Sequence, residues 1–341
     1  MNIENLTIVV YTYNRQDFAV RSMRFWACHN AFVLVLDGTA EPIDPSILKE
    51  FENKRIQYHH VPGSIQSRFK HAIDIVKTPY VILACDDEFY VPSALEKCMD
   101  VLESRPEYVA CAGQALAFYK YKNEIRGFPT YPELKNYHIT NEACTDRMVA
   151  HLQSYAQSSF YAVQRLAAWK NTMRVVSSGG GPFSNPYLLE LQVELATVYQ
   201  GKTLAIDDLL WLRNKSNPPI DNKTHDLKIG HDIWFFDPAY RNERERFFDE
   251  MASSLSRINE FNVADIRRAL HQSIDAYFKN RGTPSTLRRL IARFLPVMLK
   301  RALKGNDPLL KAAQKLEKKG VHVDLSQVKV IGEFLLKYQL E

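Results

Sequence analysis

Apolar and polar residues alternate in blocks along the first part of the chain, and the blocks have the lengths of strands and helices. Continuous apolar runs of this kind are typical of buried strands in a parallel sheet. They cover residues 6–12, 31–36, 56–61 and 80–85, and a further strand is predicted around residues 108–113. Segments with helical character follow at about 16–28, 64–77 and 92–103. This alternation predicts an α/β protein with a mostly parallel, doubly wound sheet flanked by helices.

The remainder of the chain divides into three parts. Residues 118–178 are rich in tyrosine and basic residues and have no clean period. A helix is predicted from Asn185 to about Gln200, and a last strand from Thr203 to Arg213. Beyond Asp237 the sequence becomes helical in character and strongly charged. We therefore predict one domain over residues 1–238 and a mainly helical C-terminal region over residues 239–341.

Composition limits the class of protein. The 341 residues are 46% hydrophobic and 24% charged, which suits a folded chain with a large core. The net charge of +5 is modest, and the basic residues do not lie beside aromatic base-stacking positions, so nucleic-acid binding is disfavoured. Five scattered cysteines and no basic leader before an apolar stretch favour a cytoplasmic protein with free thiols.

An acidic triplet, Asp86-Asp87-Glu88, directly follows the apolar run that ends at Cys85. Open α/β sheets bind ligands at the carboxyl ends of their strands, and three buried carboxylates need a positive partner. A divalent cation, Mg²⁺ or Mn²⁺, that bridges the triplet to a phosphorylated substrate would supply it. The alternative is a solvated turn that leads into the helix beginning near Pro92.

Five short motifs occur in a fixed order along the chain. They are Thr12-Tyr13-Asn14-Arg15, Asp37-Gly38-Thr39, Gly63 before a helix with Arg68, Asp86-Asp87-Glu88, and a helix with Glu190 and Glu194. This order resembles the family-2-like glycosyltransferases of the GT-A fold, over residues 5–215. The resemblance implies a Rossmann-like GT-A domain that binds a nucleotide-sugar donor, followed here by a helical C-terminal extension.

The resemblance also implies roles for single residues. Thr12, Tyr13, Asn14 and Arg15 would lie against the nucleotide, and Asp37 would read the base edge or the ribose. Arg68 would point toward the donor, and Asp86 would contribute to the same site. The alternatives are a helix cap for Asn14, a turn residue for Asp37 and a solvated helix face for Arg68.

The triplet resembles the family's metal-binding Asp-x-Asp element in either of two registers. With Asp86 first, Glu88 replaces the last Asp. With Cys85 first, Asp87 is the last Asp and the preferred ligand. His225, in a polar loop after the last strand, would complete the metal site, with His231 as a second histidine of that loop; surface roles are the alternative for both.

A glycosyl transfer needs a general base for the acceptor hydroxyl. The family places it at the start of the helix after the acceptor loop, where Glu190 fits best and Glu194 lies one turn later on the same face. Exposed acids on an amphipathic helix are the alternative. Gly179-Gly180-Gly181 suits a mobile loop over the substrates, without the Lys-Ser/Thr ending of an ATP-binding loop.

The segment from Leu287 to Lys304 is basic and apolar at helical spacing, with Pro296 inside it. Such a helix can lie on an anionic membrane at the inner face of the cell membrane. Docking onto the first domain, or onto a second protomer in a homo-oligomer, is the alternative.

Together these features predict a metal-assisted, inverting glycosyltransferase that moves a sugar from a nucleotide donor to a hydroxyl of a glycan or lipid-linked acceptor. Two rivals remain. A sugar-nucleotidyltransferase would carry a glycine-rich, basic phosphate loop after the first strand, which residues 12–15 lack. A non-catalytic glycan-binding or assembly protein could keep the fold without turnover.

Overall fold

The computed structural model describes residues 2–216, 229–281 and 307–338. The strands are β1 Leu6–Thr12, β2 Phe32–Asp37, β3 Ile56–His60, β4 Tyr80–Cys85, β5 Phe89–Tyr90, β6 Tyr108–Tyr121, β7 Glu124–Thr130, β8 His138–Ile139, β9 Val163–Arg165, β10 Lys202–Asn214 and β11 Asp307–Pro308. The helices are α1 Gln16–Trp26, α2 Pro45–Leu48, α3 Ile65–Ile75, α4 Pro92–Ser104, α5 Cys144–Gln153, α6 Leu166–Ser177, α7 Leu188–Gln200, α8 His231–Phe236, α9 Arg241–Asn259, α10 Val263–Arg281, α11 Leu309–Glu317 and α12 Leu325–Lys337. Short 3₁₀ turns cover Ile3–Asn5, Lys49–Phe51, Pro132–Leu134 and Pro238–Tyr240.

The strands form one sheet in the order β11-β7-β6-β9-β4-β1-β2-β3. Strands β4, β1, β2 and β3 are parallel, while β9 joins β4 to β6 in the antiparallel sense. Strand β10 runs parallel to β6 off this path and also pairs with β5 and β8. The α/β architecture with a parallel half-sheet and flanking helices confirms the fold class predicted from the sequence.

The central parallel strands β1 and β4 are buried on both faces, whereas the edge strand β3 is partly exposed. Every residue of β1 is buried, and β4 is buried at all positions except Cys85. Apolar runs without alternation are expected where helices cover both faces of a parallel sheet. In register, Thr12 lies beside Asp37 and Tyr11 lies beside Cys85. The ends of β1, β2 and β4 therefore place the first, second and fourth motifs side by side.

Local sequence signals fix the helices next to these strand ends. Ser64 caps α3, since its side chain accepts the backbone N–H of Ser67 at 3.1 Å. Pro92 occupies the first turn of α4, where its missing N–H costs nothing. Both helices begin within a residue of the predicted position.

A second apolar cluster lies beside the sheet and joins α5, α7, α8, α9 and α10. Its large aromatic members include Trp234, Phe247 and Tyr277. The cluster fixes helix α7, whose buried residues face it, in front of the strand ends. Residues on both sides of position 238 contribute to it, and the predicted boundary there stays a prediction.

The segment 307–338 packs on the first part of the chain. Strand β11 pairs with β7, and α11 and α12 bury Leu309, Val328 and Ile331 in the same core as the sheet. Ser93 at the start of α4 donates a hydrogen bond to Gln327. The predicted membrane helix of residues 287–304 lies outside the described residues. Within those residues, no helix combines the length and apolar character needed to span a bilayer.

Candidate functional site

A cavity of about 630 Å³ opens at the carboxyl ends of β1 and β2. One wall is formed by the end of β1 and the start of α3. The opposite wall is formed by the residues just before α7 and by the first turns of α7. The lining residues include Thr12, Tyr13, Gly38, Gly63, Ser64, Arg68, Phe183, Asn185, Leu189 and Gln192. The first three motifs and the helix of the fifth therefore meet at one cavity, as the carboxyl ends of an open α/β sheet predict.

Arg68 is the buried cation of this cavity, with only 5% of the residue exposed. Its Nη1 donates to the backbone oxygen of Thr12, while its Nε is buried without a hydrogen-bond partner in the described structure. Burial lowers the pKa of Arg68, although Asp37 and other nearby groups oppose the shift. The guanidinium lies so close to Gly38 that a Cβ there would come within 2.7 Å of it. Glycine at 38 thus makes room for Arg68, which is not on a solvated helix face.

Asp37 lies behind the cavity and does not line it in the described structure. Its fully buried carboxylate accepts hydrogen bonds from Gln16, Tyr58 and the backbone of Thr39, at 2.7–2.8 Å. Burial alone would raise the pKa of Asp37, but these hydrogen bonds outweigh it and lower the pKa. As placed here, Asp37 orders the loop after β2, and its predicted contact with a base or ribose stays untested.

The first motif forms a tight turn rather than a helix cap at Asn14. Asn14 has φ of 54°, in the left-handed region that asparagine tolerates, and its N–H donates to Thr39 Oγ1 at 2.9 Å. The cap position of α1 belongs to Arg15. Tyr13 lines the cavity with its ring centroid 5.9 Å from the Arg68 guanidinium carbon.

The acidic triplet lies beside this cavity, with its first two carboxylates joined by Arg15. Arg15 Nη2 lies 2.5 Å from Asp87 Oδ2 and 3.2 Å from Asp86 Oδ1. Thr12 Oγ1 donates to Asp86 Oδ2 at 2.7 Å. Burial and the neighbouring Asp87 raise the pKa of Asp86 to about 7, against the opposing influence of Arg15 and Thr12.

Glu88 points in a different direction from its two neighbours. Trp211 Nε1 donates to its Oε2 at 2.8 Å, and Arg213 Nε lies 3.7 Å from its Oε1. Burial raises the pKa of Glu88 to about 8, although Arg213 opposes the shift. Both oxygens of Glu88 are thus turned toward side chains of β10.

The predicted metal ligands stay a prediction, because the described residues do not form a metal site. Among residues 2–216, 229–281 and 307–338, no group of three His, Cys, Asp or Glu side chains is arranged to hold a metal ion. Asp86 and Asp87 are engaged by a guanidinium, and Glu88 is turned toward β10. His225 lies outside the described residues. As placed, the triplet does not fit a divalent cation.

A second arginine lies behind Arg15 on the same helix. Arg21 is only 6% exposed, and its Nε and Nη2 are buried without hydrogen-bond partners in the described structure. Burial lowers its pKa to about 10, while Asp87 and Asp86 oppose the shift. Both guanidinium carbons lie close to the centre of the Phe18 ring, at 4.3 Å for Arg15 and 5.0 Å for Arg21.

The two glutamates of α7 have different environments. Glu190 is half-buried in the first turn, next to the cavity-lining Leu189, and its Oε1 accepts the hydroxyl of Tyr155 at 2.7 Å. Glu194 is fully buried and accepts the backbone N–H groups of Ser159 and Phe160, both at 2.9 Å. Glu194 therefore fastens a loop inside the protein. Glu190 is the less buried of the two; in the described structure its neighbour Leu189 lines the cavity and Glu190 itself does not.

That loop, residues 154–161, is the part of the site that sequence reasoning missed. Besides the Tyr155–Glu190 contact, it brings Gln157 to Arg213 Nη1 at 2.8 Å. Tyr161 stacks on Trp211 with ring centroids 3.9 Å apart. The loop lies in the stretch without periodicity, and no motif in it signals these contacts.

The glycine run 179–181 is fastened to α9 in this structure. The backbone N–H of Gly180 donates to Glu250 at 2.8 Å, and that of Ser184 donates to Glu243 at 3.1 Å. His231, the second histidine considered, lies 3.2 Å from Asn185 through its Nδ1. A lid role for 179–181 stays a prediction.

Comparisons with known proteins give similarity at the level of structure. No family model matches the chain, and no curated protein is similar to it. S. aureus TarS 1-349 in complex with UDP-GlcNAc superposes with a TM-score of 0.50 at 11% identity, over 98% of this chain and 90% of that chain. Mannosyltransferase PcManGT from Pyrobaculum calidifontis, in complex with GDP-Man and Mn²⁺, gives a TM-score of 0.44 at 11% identity, over 98% and 85%.

In a further TarS structure, with a TM-score of 0.43, the match spans only 54% of that chain. At such identities the likeness to TarS 1-349 shows a shared fold alone. This shared fold agrees with the Rossmann-like GT-A fold that the order of the motifs predicted.

Proposed function

We propose that this chain is a nucleotide-sugar-dependent glycosyltransferase, which transfers a sugar to a hydroxyl group of a glycan or lipid-linked acceptor. The observation that carries the proposal is the 630 Å³ cavity at the strand ends, into which the buried Arg68 and the start of α3 converge. A buried cation with an unpartnered Nε next to helix N–H groups favours a phosphate-bearing ligand.

The donor would lie along this cavity. The diphosphate would contact Arg68 and the N–H groups at the start of α3, because both supply positive charge in a partly desolvated place. Tyr13 and the backbone of the turn after β1 would contact the nucleoside. Asp37 would act at a distance, by keeping Gly38 and Thr39 in place around Arg68.

Glu190 is the proposed general base. It begins a helix whose first turns line the same cavity, and the hydrogen bond from Tyr155 fixes its carboxylate. In a single displacement, the acceptor oxygen bonds to the anomeric carbon while the bond to the phosphate oxygen breaks. The acceptor proton passes to Glu190, the nucleoside diphosphate leaves, and the anomeric configuration inverts.

The resemblance in sequence also predicts a divalent cation that would stabilise the leaving diphosphate. No step is assigned to it here, since the triplet as placed is engaged by Arg15 and Trp211. The positive charge that the described residues bring to the cavity is that of Arg68 and the start of α3.

A transfer and hydrolysis screen tests the function. Wild type and Glu190→Gln are incubated with UDP-, GDP-, dTDP- and CDP-sugars, with and without mixed glycan acceptors, and release of the nucleoside diphosphate is measured. We expect release with one base class, reduced by about 10²–10⁴-fold in Glu190→Gln. The absence of release with every donor, or equal release in the two proteins, would contradict the proposal.

A further inference from the structure

The cluster of Asp86, Asp87, Arg15 and Arg21 has a charge balance that a metal site would not have. Two carboxylates face two guanidiniums, so their formal charges cancel. Cages for Mg²⁺ or Mn²⁺ are built from oxygen ligands with an excess of negative charge. A divalent ion placed between Asp86 and Asp87 would meet the guanidinium of Arg15, which already lies 2.5 Å from one carboxylate and 3.2 Å from the other.

The position of Arg15 is held by more than its ion pairs. Its guanidinium carbon lies 4.3 Å from the centre of the Phe18 ring, and only 14% of its side chain is exposed. Arg21 is buried, with its guanidinium carbon 5.0 Å from the centre of the Phe18 ring and 5.7 Å from that of Phe89. Since Arg21 has no hydrogen-bonded acceptor in the described structure, Asp86 and Asp87 are also its nearest source of compensating charge.

The cavity proposed for the donor is separate from these carboxylates. In the described structure its lining includes Thr12 and Arg68 but none of Asp86, Asp87 and Arg15. A metal ion that bridges a carboxylate to a diphosphate needs both within its coordination distance of about 2.0–2.2 Å. The cavity instead offers the diphosphate a guanidinium of its own, that of Arg68.

We propose that Arg15 takes the place of the divalent cation between Asp86 and Asp87, and that this chain binds its nucleotide donor without a metal ion. The inference rests on the proposed function, since it concerns the charge that accompanies the donor. Arg15 neutralises the strand-end carboxylates, and Arg68 neutralises the diphosphate.

The first part of the proposal, that Arg15 takes the place of the divalent cation, is tested by Mn²⁺ binding in the absence of nucleotide. Free Mn²⁺ is followed by electron paramagnetic resonance during titration into wild type, Arg15→Gln, Arg15→Lys and the matched control Arg24→Gln. Arg24 lies on the same helix but pairs with Glu50 at the surface. Arg15→Gln leaves Asp86 and Asp87 with Arg21 as the remaining guanidinium and one negative charge in excess, and it is expected to bind Mn²⁺ at least about tenfold more tightly than wild type. Wild type, Arg15→Lys and Arg24→Gln are expected to bind it equally weakly.

The second part of the proposal, that the donor binds without a metal ion, is tested by nucleotide binding to wild type and needs no variant. Calorimetric titrations with UDP, GDP, dTDP and CDP are run in EDTA and in Mn²⁺. We expect one nucleotide to bind with dissociation constants that agree within about threefold in the two buffers. Binding that requires Mn²⁺, or stoichiometric uptake of Mn²⁺ by wild type alone, would overturn the inference and leave the glycosyltransferase proposal standing. Failure of all four nucleotides in both buffers would overturn both.

Discussion

The phenol of Tyr155 donates a 2.7 Å hydrogen bond to Oε1 of Glu190, and this contact joins the 154–161 loop to the first turn of α7. Glu194, one turn further along the helix, accepts the backbone N–H groups of Ser159 and Phe160 in the same loop. Helix α7 thus has one partly exposed carboxylate, next to the cavity-lining Leu189, and one carboxylate inside the protein. The sequence spacing did not distinguish Glu190 from Glu194, whereas the structure gives the two carboxylates different hydrogen-bond partners.

Replacement of Glu190 separates chemistry from donor binding. Glu190→Gln keeps an acceptor for the Tyr155 hydroxyl but cannot take a proton. We expect kcat to fall by about 10²–10⁴-fold while the dissociation constant of the donor changes little. Steady-state kinetics together with donor titrations check this. Normal turnover in Glu190→Gln with a large loss in Glu194→Gln would move the role of base to Glu194.

Replacement of Glu194 should act on stability. Glu194→Ala leaves the buried N–H groups of Ser159 and Phe160 without an acceptor, and each buried group left unpaired costs about 1–3 kcal/mol. We expect the free energy of unfolding to drop by about 2–5 kcal/mol in urea titrations. Glu107→Ala, at an exposed position, is the control and should change it by less than about 0.5 kcal/mol. Equal stability of the two variants would refute the anchoring role.

A histidine pair between β3 and α3 predicts a pH dependence of stability. His71 Nε2 in α3 lies 3.0 Å from His59 Nδ1 in β3, and burial together with the charge of His71 lowers the pKa of His59. Below the ordinary histidine pKa of about 6.5, the unfolded chain then binds more protons than the folded protein. By linkage, the stability contribution of this site is present at pH 7 and is lost as the pH falls through 6.5 toward 5.

Thermal melting from pH 8 to pH 5 measures this loss. His71→Gln removes the neighbouring charge, so its melting temperature should fall less steeply with acidification than that of wild type. His138→Gln, on an exposed residue of β8, should keep the wild-type slope. A slope in His71→Gln as steep as in wild type would show that the pair does not contribute.

Strands β1 and β4 were predictable because nearly all of their residues are buried. Residues 6–12 and 80–85 coincide with β1 and β4, since a strand covered on both faces reads as one apolar run. The strand expected around residues 108–113 is the first part of β6, but the 154–161 loop and the second part of β6 were not predicted. Strand β6 runs 14 residues, with β10 on one side and first β9 and then β7 on the other, so no single period describes it.

For the acidic triplet too, some features were predictable from the sequence and others were not. Its place at the end of a buried strand follows from the sequence, and so does its need for positive charge. The sequence does not show which cation supplies that charge, because Arg15 and Asp87 are 72 positions apart and meet only through the pairing of β1 with β4. The two neighbouring acids, Asp87 and Glu88, likewise diverge because Trp211 comes from a strand far along the chain.

The central claim, that the cavity at the strand ends binds a nucleotide sugar through Arg68, is tested most directly by calorimetric donor titration. UDP-, GDP-, dTDP- and CDP-sugars are titrated into wild type, Arg68→Met and Lys70→Met, with melting curves to verify folding. Lys70 lies on the same helix and is exposed. We expect one donor to bind wild type and Lys70→Met alike, and to bind Arg68→Met at least about tenfold more weakly, because a charged hydrogen bond is worth about 1.5–3 kcal/mol. Equal affinity in a folded Arg68→Met, or no binding of any donor to wild type, would contradict the account.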